Sequence, residues 1–205
     1  MHKEILSESQ LRLLPLVSKF RKEFYLAGGT AVALYIGHRR SIDFDLFKFS
    51  PLNHRKIVTV FEESGTPYAV NLRIPEQLNL NVTDVKFTFL EYPFTINAKI
   101  RFEDSLRLPE LIDLAAMKAY ALGRRSKWKD YVDLYFLIKE FYTVGQISER
   151  AREIFDQLFS EKLFRAQLSY FDDVDYTEEI EYLVAPVSAG KIKEFLVDKA
   201  TDLGF

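Results

Sequence analysis

The sequence contains no cysteine, which excludes disulfide bridges and cysteine-ligated zinc. Tryptophan is nearly absent as well, since Trp128 is the only one in the chain. No apolar run is long enough to span a bilayer, and the polar first segment, MHKEILSESQ, lacks the apolar core of a signal peptide. We therefore expect no membrane partner, and the cytoplasm is the expected compartment.

A strong charge of one sign is also missing, because the formal net charge of the 205 residues is only −2. The bulk charge gives no indication of nucleic-acid binding, although a local basic patch would override it. Apolar material is abundant: hydrophobic residues make up 48% of the chain and include 18 phenylalanines and 11 tyrosines. That composition favours rings that fill a packed core over rings that stack on bases.

The hydrophobic pattern changes its period near the middle of the chain. Strands are predicted over residues 24–27, 42–47, 68–74, 78–83 and 85–90. Helices are predicted over residues 8–21, 53–63, 109–123, 128–142, 148–158, 161–171 and 188–200, with a further helix starting at Thr30. A β-containing half, residues 1–105, thus precedes an all-helical half, residues 106–205, which is an α+β arrangement.

Two aspartates in the second predicted strand are the first candidates for chemistry. Asp43 and Asp45 lie on one face of the alternating segment, while Ile42, Phe44 and Leu46 lie on the other. Their Cα atoms are about 6–7 Å apart on a regular strand. This spacing suits carboxylates that share divalent cations, which prefer oxygen ligands. Alone, the pair is a weak signal, because an edge strand with one solvated face has the same pattern.

The loop before this strand strengthens the interpretation. Gly28, Gly29 and Thr30 follow a short apolar strand and open a helix that Thr30 would cap. Backbone N–H groups at such a turn bind phosphates, and a Cβ would block close approach. The alternative is an ordinary strand-to-helix turn. His38, between the loop and the acids, is expected on the surface, with phosphate contact as its alternative role.

Three stretches of the chain resemble one known family. The stretch LAGGTAVALYIGHRRSIDFDLF, residues 26–47, is similar to the signature of minimal nucleotidyltransferases, and more narrowly to the AbiEii/AbiGii-type toxin nucleotidyltransferases. The stretches DLAAMKAYALGRRSKWKDYVDLYFLI, residues 113–138, and LSYFDDVD, residues 168–175, follow in that family's order and spacing. The resemblance covers most of the chain. It implies a nucleotidyltransferase-fold mixed sheet with flanking helices in residues 1–105, and a helical half packed on that core.

The resemblance also implies an activity. It suggests that a nucleotidyl group is transferred from a nucleoside triphosphate with Mg²⁺ or Mn²⁺ as cofactor. Some members are the toxin of a toxin–antitoxin pair and some modify tRNA ends, so a tRNA or protein acceptor and an antitoxin protein are the implied partners. By matching position, Gly28, Gly29 and Thr30 would hold the triphosphate, and Asp43 and Asp45 would ligate the metal.

The second stretch contributes a group of charged residues. On the functional interpretation, Lys118, Lys129 and either Arg125 or the neighbouring Arg124 reach the triphosphate. The resemblance assigns catalytic roles to Lys129 and Asp130, with the cations neutralising charge in the transition state.

An ordinary structural interpretation of the same residues exists. Lys129 and Asp133 are four positions apart and would form a surface pair on a helix. The basic residues before them would then be a solvated turn. On the functional interpretation, Asp130 or Asp133 orients the cations.

A third carboxylate, usual on a later strand of nucleotidyltransferases, is missing from its expected place. In this family the strand reads Val-Lys-x-Asp before Tyr-Pro, whereas VKFTFLEYP has Thr88 at the aspartate position. A threonine hydroxyl is a weaker, neutral ligand and is no general base at pH 7. Glu91 falls on the opposite strand face unless a bulge shifts it. The hypotheses are therefore an active enzyme, a degenerate module that binds nucleotide without turnover and, least favoured, a scaffold without ligand.

Overall fold

The computed structural model describes residues 1–202, and the chain divides into two compact units. The first unit is Met1–Glu110, and the second begins at Leu111. Among residues 1–202, none of the helices combines the length and the apolar character needed to cross a bilayer.

The first unit contains all the strands that the structure describes. Its helices are α1 (Glu8–Ser18), α2 (Gly28–Ile36) and α3 (His54–Ser64), preceded by a 3₁₀ turn, Lys3–Ile5. Its strands are β1 (Tyr25–Ala27), β2 (Phe44–Lys48), β3 (Ala69–Ile74), β4 (Gln77–Val82), β5 (Val85–Glu91), β6 (Ile100–Phe102) and β7 (Leu106–Leu108). The hairpin β6–β7 was not predicted, because three-residue strands are too short to show an alternating period.

Five of these strands form one sheet in the order β1-β2-β5-β4-β3. Strands β2 and β5 are parallel, whereas the other neighbouring pairs are antiparallel, so the predicted mixed sheet is confirmed. Strands β6 and β7 form a separate antiparallel hairpin, and β7 lies against β1. The segment β2–α3–β3–β4–β5 supplies the long connection that a parallel pair requires.

One face of the sheet is covered by phenylalanine rings. Phe20, Phe24, Phe61, Phe87 and Phe89 are each at most 6% exposed, and their rings meet in edge-to-face geometry. The closest of these pairs, Phe20 and Phe89, has its centroids 4.9 Å apart. Edge-to-face contacts add about 0.5–1.5 kcal/mol per pair to the burial of the rings. The expectation that aromatic residues fill the core is confirmed.

The second unit is helical. Its helices are α4 (Leu111–Leu122), α5 (Trp128–Glu140), α6 (Val144–Phe155), α7 (Glu161–Leu168) and α8 (Ala189–Thr201), with a 3₁₀ turn at Asp156–Leu158. Helix α6 begins four residues earlier than predicted, because Thr143 and Gln146 form a capping box. Residues 168–175 pack beside α5, where the Trp128 N–H donates to the carbonyl of Asp175 at 3.0 Å.

Candidate functional site

Gly28 and Asp45 meet at the junction of β1, α2 and β2. Ala27 pairs with Asp45 across the antiparallel strands, so the first residue of α2 lies directly against this carboxylate. Gly28 has a φ of +68°, and a Cβ at this position would lie 2.0 Å from Asp45 Oδ2. Glycine is therefore required by the backbone conformation and by the carboxylate that occupies the space of a side chain.

Thr30 connects α2 to the segment that carries the acids. Its side chain is fully buried, and its hydroxyl donates to the Asp43 carbonyl and lies 2.9 Å from Ser41 Oγ. The prediction that Thr30 caps α2 is wrong, because the helix already begins at Gly28 and Ala27 is its cap residue. A buried hydroxyl bonded in this way fixes the position of Asp43.

Gly29 lies against a buried arginine. A Cβ at Gly29 would come within 2.5 Å of Arg39 Nη2, and Arg39 is only 3% exposed. The expectation that His38 is a surface residue is wrong, because it is 1% exposed. Both side chains follow the left-handed turn at Gly37 that ends α2, and this turn directs them into the protein.

Asp43 and Asp45 retain the alternation read from the sequence. Both are half-buried, while Phe44 and Leu46 between and after them are fully buried. The alternation does not extend to Ile42, however, which is 48% exposed. The reason is that β2 begins at Phe44, so that Asp43 stands one residue before the strand.

Thr88 is the neighbour of Asp45 on the next strand. In the parallel pair β2–β5, Asp45 is in register with Thr88, whereas Glu91 is in register with Lys48. The pairing from Val85 to Glu91 contains no bulge on either side, so Glu91 stays on the opposite face from Thr88. Thr88 is 8% exposed, and its hydroxyl has no hydrogen-bond partner within residues 1–202. The Thr88 hydroxyl therefore occupies the place beside Asp45 where a third carboxylate was expected.

A polar row continues from Thr88 onto β4, which the sequence interpretation missed. Thr88 is in register with Asn79, and Asn79 Oδ1 accepts a hydrogen bond from Gln77 Nε2 at 2.9 Å. The available signal was the alternation of Gln77, Asn79 and Asn81 with three buried apolar residues along this strand. The amides and the acids thus share one face of the sheet.

Few side chains near Asp43 and Asp45 are able to ligate a metal ion. Within residues 1–202, no group of three or more acidic, histidine or cysteine side chains is arranged as a metal site. Asp43 and Asp45 alone still fit Mg²⁺, because this ion is usually bound by one or two carboxylates together with waters and substrate phosphates. The half-buried carboxylates fit such a shared ion better than an all-protein cage.

Replacing Gly28 by alanine tests the contact with Asp45. Gly65 is a matched control, since its φ is +65° and a Cβ there would meet nothing within 4 Å. Gly65→Ala should cost only the left-handed backbone penalty of about 1–2 kcal/mol in the free energy of urea unfolding. Gly28→Ala should cost clearly more, because Asp45 must also move. Equal losses for the two variants would contradict the close contact.

In the second unit, Lys118 lies between two buried carboxylates. Its Nζ is 2.5 Å from Asp130 Oδ1 and 2.7 Å from Asp133 Oδ2, and all three residues are at most 4% exposed. Arg125 Nε reaches the other oxygen of Asp130 at 3.1 Å, while half of the Arg125 side chain is exposed. Although burial opposes ionisation, the charges of Lys118 and Arg125 hold the pKa of Asp130 below its usual value.

Lys129 has a different partner from the predicted one. It forms an ion pair with Glu178, which also contacts Lys127 Nζ at 2.5 Å. The surface pair of Lys129 with Asp133, which was the ordinary structural alternative, does not form, because Asp133 points inward to Lys118. Despite partial burial, hydrogen bonds from the two lysines lower the pKa of Glu178 to about 2.

The predicted site residues thus form two groups. The first unit holds the glycine pair, Thr30 and the two acids, and the second unit holds Lys118, Arg125, Lys129 and Asp130. Within each unit the structure brings several of them into direct contact, as described above.

Comparisons with known proteins agree with this architecture. The model of the family described as nucleotidyl transferase AbiEii toxin, type IV TA system, matches residues 12–107. An uncharacterized protein of Aquifex aeolicus is 28% identical over an alignment of 188 residues, which covers 85% of this chain and 88% of that protein.

Two solved structures show the same fold. The nucleotidyltransferase toxin MenT4 of Mycobacterium tuberculosis has a TM-score of 0.62 at 16% identity, over 95% of this chain and 82% of that chain. The Helicobacter pylori protein JHP933 has a TM-score of 0.54 at 18% identity, over 95% of this chain and 91% of that chain. The predicted α+β fold is confirmed.

Proposed function

We propose that this chain transfers a nucleotidyl group from a nucleoside triphosphate to an acceptor hydroxyl and releases pyrophosphate, because its residues 12–107 match the model of the AbiEii nucleotidyltransferase toxin family. The observation that carries the proposal is the contact of Gly28 with Asp45, which brings the start of a helix to a pair of acids. A phosphate chain bound at that helix start would lie beside carboxylates able to share a divalent cation.

The start of α2 supplies the phosphate site. The first four N–H groups of an α-helix have no partner within the helix, and Ala27 provides no side-chain cap. These groups and the helix dipole favour an anion at this end. In this proposal Gly28 and Gly29 let the backbone approach the triphosphate, while Thr30 acts indirectly by holding Asp43.

The acids are the proposed ligands of Mg²⁺ or Mn²⁺. When bound, the metal would neutralise phosphate charge and align the phosphoryl group with the attacking hydroxyl. Asp45 is held in place by the strand pairs to Ala27 and Thr88, and Asp43 by the hydroxyl of Thr30. The chain itself thus fixes the backbone that carries both carboxylates.

For the second unit, the proposal assigns direct phosphate contact to Arg125 and Lys129. Arg125 is held through one nitrogen by Asp130 and keeps its other N–H groups for a phosphate. Lys129 would exchange Glu178 for the ligand. Lys118, which is nearly inaccessible between Asp130 and Asp133, positions Asp130 and reaches no triphosphate.

The experiment is transfer of radioactive label from α-³²P nucleotides to acceptor panels of tRNA and of protein. We expect Mg²⁺- or Mn²⁺-dependent labelling of one acceptor class with one preferred base. Folded protein that labels nothing in either panel would overturn the activity.

The match to the AbiEii toxin family also supports an antitoxin protein as a partner and the cytoplasm as the working compartment.

A degenerate, nucleotide-binding module is the second candidate, and the position of Thr88 beside Asp45 favours it. This candidate predicts that nucleotide with Mg²⁺ raises the thermal midpoint of unfolding although no label is transferred. Labelled product from the wild-type protein that disappears when Asp45 is replaced would eliminate it.

Thr88→Asp tests whether a third carboxylate on β5 completes the coordination shell of a metal ion at Asp43 and Asp45. A carboxylate beside Asp45, at a position 8% exposed, should destabilise the metal-free protein by at least about 1–3 kcal/mol, because two like charges lose hydration together. Mg²⁺ should recover most of that loss in thermal unfolding. The near-isosteric control, Thr88→Val, should show no such Mg²⁺ effect. If Mg²⁺ does not stabilise Thr88→Asp more than the wild type, this face holds no metal.

A further inference from the structure

Residues 172–178, which we call the acidic strap, lie beside the start of α5 in the second unit. Two backbone hydrogen bonds fasten the acidic strap on either side of Lys127. The Asp175 N–H donates to the carbonyl of Ser126 at 2.7 Å, and the Trp128 N–H donates to the carbonyl of Asp175 at 3.0 Å. This pairing holds the acidic strap at a fixed place next to the first turn of the helix.

The acidic strap also contacts the helix through an aromatic ring. The rings of Tyr176 and Trp128 have their centroids 5.2 Å apart. Lys193 of α8 lies over both rings, with its Nζ 5.1 Å from the Tyr176 centroid and 5.9 Å from the Trp128 centroid. Because Trp128 is the only tryptophan of the chain, tryptophan fluorescence comes entirely from this contact between helix and strap.

Glu178, the last residue of the acidic strap, binds two lysines at once. One oxygen of its carboxylate accepts a hydrogen bond from Lys127 Nζ at 2.5 Å, and the other oxygen accepts one from Lys129 Nζ. The side chains of Lys127, Lys129 and Glu178 are 37%, 21% and 42% exposed, so a solute can reach this group. Two ammonium groups that share one carboxylate present the same pair of donors to two oxygens of a phosphate.

We propose that Glu178 is an internal competitor of the triphosphate, which occupies Lys127 and Lys129 until phosphate oxygens replace it. This inference rests on the proposed function, which assigns Lys129 to the phosphate chain, and it adds a regulation of that site. Because the backbone bonds of Asp175 hold the acidic strap upstream, only its last residues need to move. The apparent affinity for the triphosphate is then reduced to the fraction of the protein in which the lysines are released.

The alternative role of Glu178 is that of a clasp that only keeps the acidic strap on α5. The two roles differ in the effect of removing the charge. A competitor that is removed makes anion binding tighter, because the lysines no longer exchange one partner for another. A clasp that is removed loosens the acidic strap and gives no gain in anion affinity.

The test is a titration of the Trp128 fluorescence with inorganic tripolyphosphate at constant ionic strength. This probe has the phosphate chain of a nucleoside triphosphate but no base to stack on the indole. Glu178→Gln should lower the midpoint of the titration by about 3–10-fold, because two partly exposed ion pairs no longer compete. The matched control, Glu179→Gln, removes an exposed acid at the next position and should change the midpoint by less than about 2-fold, because solvent and salt screen its charge.

A second background connects the effect to the lysines. In Lys127→Gln/Lys129→Gln, tripolyphosphate should bind more weakly, and the addition of Glu178→Gln should no longer shift the midpoint. Thermal unfolding shows that each variant is folded. An unchanged or raised midpoint in Glu178→Gln, an equal shift in Glu179→Gln, or a shift that persists without the two lysines would each overturn the inference.

The titration requires no turnover, so its failure differs from a failure of the proposed transfer. Tighter tripolyphosphate binding by Glu178→Gln in a protein that labels no acceptor would contradict the transfer and support the competitor. Labelling of an acceptor with the same KM for the nucleoside triphosphate in Glu178→Gln and in the wild type would support the transfer and overturn the competitor.

Discussion

Asp45→Asn should reduce nucleotidyl transfer by more than about 100-fold while the protein stays folded. A change in a partner of a metal ligand typically costs 10–100-fold, and Asp45 is proposed as a ligand itself. The amide has the shape of the carboxylate but lacks its charge. Its nitrogen would also face the Gly28 backbone in one of its two orientations. The measurement is the initial rate of label transfer at saturating Mg²⁺ and acceptor.

The control for this experiment is Glu63→Gln, an exposed acid on α3 in the same unit. It should leave the rate unchanged, which separates the local charge from the total charge. A second measurement, nucleotide binding by calorimetry with and without Mg²⁺, shows where the loss lies. Transfer by Asp45→Asn at the wild-type rate would contradict the assignment of this aspartate to the metal.

Lys118→Met should destabilise the second unit by about 3–5 kcal/mol. Removing one partner of a buried ion pair leaves the opposite charge without compensation. Here two carboxylates, Asp130 and Asp133, would remain fully buried next to each other. The free energy of unfolding in urea measures the loss, and Lys162→Met on the exposed face of α7 is the matched control with a negligible expected effect.

The pH dependence of this variant follows from the pKa of Asp130. In the native protein the pKa of this carboxyl is lowered, so its contribution to stability is full above the usual aspartate range and is lost as the pH falls through the folded pKa. Without Lys118 burial dominates and the pKa rises. The difference between variant and wild type should therefore shrink as the pH is lowered from 7 towards 4.

The same variant separates two roles for Lys118. The functional interpretation of the sequence predicts contact of Lys118 with the triphosphate, while the structure encloses the ammonium group between carboxylates. A stability loss that accompanies unchanged nucleotide affinity, measured where the variant is still folded, supports the structural role. Normal stability with weakened nucleotide binding would contradict it.

Local patterns in the sequence determined much of this protein. The alternation around Asp43 and Asp45 predicted a strand with its acids on one face, and the helical period after residue 108 predicted the helical unit. These features depend on residues two to four positions apart, which a linear pattern contains. The family resemblance identified the nucleotidyltransferase fold from the same stretches, and the matching family model covers residues 12–107.

Only the tertiary structure decided which distant residues meet. The register between β2 and β5 places Thr88, and not Glu91, beside Asp45. The register between β4 and β5 places Asn79 beside Thr88, and in the second unit Lys118 is buried between Asp130 and Asp133. Register and burial depend on pairing between segments tens of residues apart, and the period of one segment does not specify its partner. The acids and the missing carboxylate at Thr88 were therefore readable in the sequence, whereas the register that brings Asp45, Thr88 and Asn79 side by side came only from the structure.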